Sequence, residues 1–140
     1  MDLRRGAASL DGTSPTLSDL LGLCGEAGVE VRTARLPSGW LGAYDDPRRR
    51  ILLAAGLTPV EERCVLAHEL GHALRMHVGT SAAAERAAEG FAARVLIDPA
   101  ALRAACAWTR DDVELAEELG VTVDILRAYR ALPGSGSSGA

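Results

Sequence analysis

Three residues of this sequence have the types and the spacing to do chemistry together: His68, Glu69 and His72, in the segment HELGH. On an α-helix, residues four apart differ by about 40° in angle and about one turn in rise, so the two imidazoles project from one face. Imidazoles placed in this way can share one Zn²⁺ at about 2.0–2.1 Å each. Glu69 sits one residue further around, beside such a metal and not on it. There a carboxylate can take a proton from an attacking water and pass it to a leaving amine. A pattern of three fixed positions in five also arises by chance on helices. Here, however, the chain has 3 histidines in all, and two of them flank a glutamate at the required interval.

A catalytic zinc takes three protein ligands and keeps one position open. Glu85 and Glu89 stand 13 and 17 residues beyond His72, four apart, so both can face the site from a following helix. Their surroundings, AAAERAAEGFAARVL, are rich in alanine, which lets two helices approach closely. The spacing alone leaves the choice between the two glutamates open. His77, five residues after His72, falls about 140° around and is a poor ligand; it reads as a helix-end histidine near the C-terminal dipole.

The elements that must hold these residues can be read from the same chain. Thr58-Pro59-Val60-Glu61 forms a capping box with proline at the first helical position, predicting a helix from there to about Val78, ended by Gly79. Ser81 caps a second helix that runs to about Ile97, before Pro99. PAALRAAC, TRDDVELAEELG and TVDILRAYRAL give three shorter helices. Upstream, Leu17, Leu20, Leu21 and Cys24 share helical spacing. VEVRTARL, GWLGAY and ILLAA then read as strands, with Asp46-Pro47 supplying the turn of a hairpin between the last two. The expected fold is α+β: a small three-stranded, mostly antiparallel sheet packed on the active-site helix, then a helical C-terminal half. Residues 1–13 and the Gly/Ser tail 133–140 read as disordered, leaving 14–132 as one domain.

From about Ala27 to about Leu132 the chain resembles the ImmA/IrrE family of zinc metallo-endopeptidases, especially the short forms of actinobacteria and their phages. The resemblance lies in GVEV, GAY, ILLAAGLTPVEERCVLAHELGHAL and ERAAEGFAARVLIDP. The first histidine motif is generic to zinc proteases. The strand leading into LAHELGHAL, followed by E-x-x-A-x-x-F-A-A and an apolar-proline ending, is more specific. The resemblance implies His68, His72 and Glu85 as zinc ligands and Glu69 as general base. Glu89 falls where such proteins often carry Asp or Asn, which sets it beside the ligands, orienting a ligand histidine, with Glu89 in place of Glu85 as the alternative third ligand. It also implies a protein substrate, often a helix-turn-helix repressor of a phage, mobile element or stress regulon. By analogy, WLGAY is the edge strand that would take extended substrate, with proline at Ala43 as a probe.

Composition narrows the alternatives. The chain has 140 residues, 48% hydrophobic and 24% charged, with mean hydropathy +0.08, enough for one self-standing core. No apolar run approaches the roughly 20 residues of a membrane span, and no signal peptide is evident, so the expected setting is cytoplasmic, without a membrane partner. A net charge of −4 argues against nucleic acid as the main partner. Cys24, Cys64 and Cys106 form no C-x-x-C pair and read as small buried residues. All 15 basic residues are arginine, a sign of codon usage more than of chemistry. Arg48-Arg49-Arg50 reads as a solvated turn. LAEELGVTVDILRAYRAL has a helix-turn-helix cadence, but its acidic approach favours a helical hairpin that completes the core. The rival to a monomeric endopeptidase is a non-catalytic, zinc-stabilised regulator that binds a repressor or DNA.

Overall fold

The computed structural model describes residues 14–75 and 81–133. Of the segments expected to be disordered, 1–13 and 133–140, all but Pro133 lie outside the described residues, as does His77. The elements run α1 (Leu17–Glu26), β1 (Glu30–Ala34), β2 (Gly42–Asp45), β3 (Arg50–Ala54), α2 (Pro59–Leu74), α3 (Ala82–Leu96), α4 (Pro99–Cys106), α5 (Asp112–Leu119) and α6 (Val123–Ala131). No helix among them is long and apolar enough to cross a membrane.

The architecture is α+β, with one sheet and a helical C-terminal half. The sheet is mixed, with strand order β1-β3-β2. β2 and β3 form the expected antiparallel hairpin, with Ala43 opposite Leu52. β1, however, pairs parallel with β3, from Glu30 opposite Arg50 to Ala34 opposite Ala54. The reason is the 35–41 loop. It is long enough to carry the chain past one strand position, so the hairpin folds back and places β3, not β2, beside β1. This leaves β2 at an edge. The Leu41 carbonyl accepts from the Ala54 amide at 2.9 Å across the hairpin. Antiparallel alternation then turns Ala43 toward Leu52 and the Gly42 and Tyr44 amides outward. Proline at Ala43 would therefore break the sheet's own ladder, and it is unsuitable as a probe of strand addition.

α2 begins as the capping box dictates. The Thr58 amide donates to Glu61 Oε1 at 2.9 Å, and the Glu61 amide donates to Thr58 Oγ1 at 3.1 Å. Its described part ends at Leu74, with Arg75 as C-cap, and the expected end near Val78 lies outside the described residues. An arginine from the hairpin turn reaches this end of the helix. Arg49 has φ +49°, and its guanidinium donates to the Ala73 carbonyl at 3.2 Å, the Ala27 carbonyl at 3.1 Å and Tyr44 Oη at 2.7 Å. The first two carbonyls close α2 and α1, where a cation opposes the helix dipole. The reading of the arginine triplet as a solvated turn thus suits Arg48, paired with Asp45, and Arg50, paired with Glu30, but not Arg49.

The core lies between the sheet's inner face and the helices. Ile51 and Leu53 of β3 are buried in one core cluster with Leu66 and Leu70 of α2, Leu96 of α3 and Leu126 of α6. Each such burial contributes roughly 1.5–3 kcal/mol. α5 and α6 close the other side as a helical hairpin around Gly120, in the left-handed region at φ +69°. Arg127 and Arg130 both pair with Asp112 of the same hairpin. Cys24 and Cys64 are buried, Cys106 is half-buried, and all three are free thiols.

α2 and α3 pack with little between their backbones. A Cβ on Gly71 would meet Phe91 Cδ1 at 3.0 Å and the Ala88 Cα and carbonyl oxygen at 3.2 Å. Gly71→Ala gains about 1 kcal/mol of helix propensity but overpacks against backbone, which costs about 1–3 kcal/mol. The expected result is a net loss of about 1 kcal/mol with weakened metal binding, read by thermal melts and zinc titration. A variant that is stabilised and binds zinc normally would contradict this close approach.

Candidate metal centre

The capped α2 carries His68 and His72 one turn apart, and the cap holds this turn in fixed register. Their rings lie 5.0 Å apart at 70°. α3 brings Glu85 across from its first turn, and its carboxylate spans both rings. Oε1 lies 3.0 Å from His68 Nε2 and Oε2 lies 2.9 Å from His72 Nε2. The ligand-capable atoms of these three residues all fall within 4.8 Å of one another. Glu89, one turn further along α3, instead takes the other side of His68, its Oε1 2.7 Å from Nδ1. Two imidazole nitrogens and one carboxylate converging in this way form a borderline nitrogen-and-oxygen donor set that suits a divalent metal ion such as zinc.

Glu69 is 7% exposed and stands next to this group without joining it. The edge strand presses on it: a Cβ on Gly42 would meet Glu69 Cγ at 3.3 Å and Val65 Cγ1 at 2.5 Å. Only glycine lets β2 run this close to the α2 face. HELGH does not announce Gly42 or Arg49; the one available signal is a glycine inside a strand pattern, which marks close backbone approach.

The electrostatics follow from burial and neighbours. Burial works against charge on His68, but the Glu89 bond, the Glu69 and Glu89 charges and the Glu85 bond outweigh it and push the imidazole up to about 9. Burial pushes the Glu69 carboxyl up to about 7; His68 pulls it down, while Glu85 and Glu89 push it further up. Each group has a higher pKa folded than unfolded, so each supports the native state while protonated. The Glu69 contribution is present below about 4.5 and lost as pH rises through about 7. That of His68 is present below about 6.5 and lost as pH rises through about 9. Chelator-treated protein is therefore expected to melt at progressively lower temperature as pH climbs through this window, and zinc affinity should rise over the same range as the proton is displaced. Melting that is flat or rising from pH 6 to 9 would refute this arrangement.

The fold and the donor cluster together define a small α+β protein that carries a candidate metal-binding cluster on a capped helix. The comparisons make the class specific: residues 24–129 match the family described as Peptidase_M78, IrrE N-terminal-like domain, and the chain belongs to this metallopeptidase family. Among solved structures, a Mycobacterium tuberculosis transcriptional regulator is similar in fold, with TM-score 0.67 and 18% identity. The match covers 99% of this chain and 49% of that one, so the chain spans about half the length of that protein. No curated protein sequence matches the chain.

Proposed function

We propose that this chain is a zinc-dependent endopeptidase that hydrolyses a peptide bond in a protein substrate, a helix-turn-helix repressor of a phage or mobile element. One observation carries the reading: a buried carboxylate, Glu69, stands beside the His68, His72 and Glu85 cluster without belonging to it. A purely structural metal site has no use for such a group.

In this reading His68, His72 and Glu85 hold the metal. Glu89 fixes His68 through Nδ1, so that Nε2 faces the cluster in one tautomer. A bound zinc supplies Lewis-acid polarisation of the scissile carbonyl and of water. Glu69 takes the proton of the attacking water on its carboxylate and delivers it to the leaving amide nitrogen. The outward amides of β2 give an extended substrate a strand to pair with, directly above Glu69.

The repressor as substrate rests on the family resemblance alone. The free thiols suit a cytoplasmic setting. The test is incubation of the zinc-loaded chain with the repressor encoded beside it, read by mass spectrometry of the products. Cleavage should stop with chelator and return with zinc. A metal-loaded chain that leaves every neighbouring repressor intact would count against the peptidase and favour a metal-stabilised regulator.

A further inference from the structure

A cavity of about 350 Å³ opens beside Glu69 and His68, within the usual size range of ligand sites. His68, Glu69 and Glu89 form its wall on the metal-cluster side, and the β2 edge and the start of α6 line the rest. Leu41, Val65 and Ile125 supply apolar walls, while Glu61 and Asp124 add carboxylates from the first turns of α2 and α6. No arginine is among the described residues that line it, and the sequence has no lysine. An apolar channel with acidic groups fits a side chain that is aliphatic along its length and cationic at its end. An acidic side chain would meet like charge there, and a purely apolar one would desolvate carboxylates without pairing them.

The geometry points to this cavity as the seat of one substrate side chain flanking the scissile bond, with arginine or lysine as its occupant and Glu61 and Asp124 as the residues that select it. The inference rests on the peptidase reading and deepens it, because it names a feature of the substrate. Neither carboxylate belongs to the metal cluster, so selection can be altered without touching the chemistry.

The test uses metal-anchored probes, so it does not depend on turnover. Hydroxamates of arginine, norleucine and glutamic acid are titrated calorimetrically into the zinc-loaded full chain and into a Glu61→Gln/Asp124→Asn double variant. Glutamine keeps the α2 capping acceptor, so the fold is retained. Two partly exposed charge pairs correspond to about a tenfold preference for arginine over norleucine, with glutamic acid weakest. That preference should shrink in the double variant and in high salt. Hydroxamates that bind wild type without regard to side-chain charge would overturn the pocket assignment and leave the metal centre standing. If no hydroxamate binds the zinc-loaded chain, the peptidase reading and the pocket fall together.

Discussion

Glu69→Gln is expected to leave zinc stoichiometry at one per chain and to lower cleavage by about 10²–10⁴-fold, the usual contribution of a general base. Glutamine matches the carboxylate in size, so the tight approach of Gly42 and Val65 is kept and the fold should not suffer. Stability should even rise at high pH, because glutamine removes a buried group that must ionise above about 7. The pair of measurements is metal content by mass spectrometry and cleavage rate on one substrate. Equal cleavage by both proteins, with zinc retained, would remove Glu69 from the chemistry. Loss of zinc in the variant would instead move Glu69 into the ligand set.

The second large effect separates the two glutamates of α3. Glu85 reaches both Nε2 atoms, so Glu85→Ala removes a donor from the cluster itself and should abolish tight zinc binding along with activity. Glu89 touches only Nδ1 of His68, so Glu89→Gln should keep the metal but weaken its affinity by about 10–100-fold. Competition with a fluorescent chelator measures both. Equal losses would mean that the cluster rearranges when metal enters. The reverse order would exchange the two roles.

These glutamates also show how far the sequence can be read. Helical spacing puts Glu85 and Glu89 on one face of α3, but it does not say which one meets the histidines, because that depends on where α3 crosses α2. The crossing is set by Gly71 lying against Ala88, a contact between residues 17 apart in the chain. Strand pairing was unreadable for a similar reason. The alternation in β1 marks a strand without giving the direction of its neighbour, and the 35–41 loop makes that neighbour β3 and the pairing parallel. Arg49 carried no local sign at all. In the sequence it is one of three arginines in a turn; in the fold it holds the ends of two helices.

What the sequence determined by itself is the local chemistry. The capping box, the helix it starts and the pair of histidines one turn apart depend on neighbours within a few residues, and the family follows from these together with segments such as ERAAEGFAARVLIDP. What only the tertiary structure decided is how separate elements meet: Glu85 on both imidazoles, Glu89 behind one of them, β2 over Glu69, and a cavity with carboxylates from two different helices. Those contacts join residues distant in sequence, so they depend on how the faces of whole elements pack, and no short window of residues encodes that.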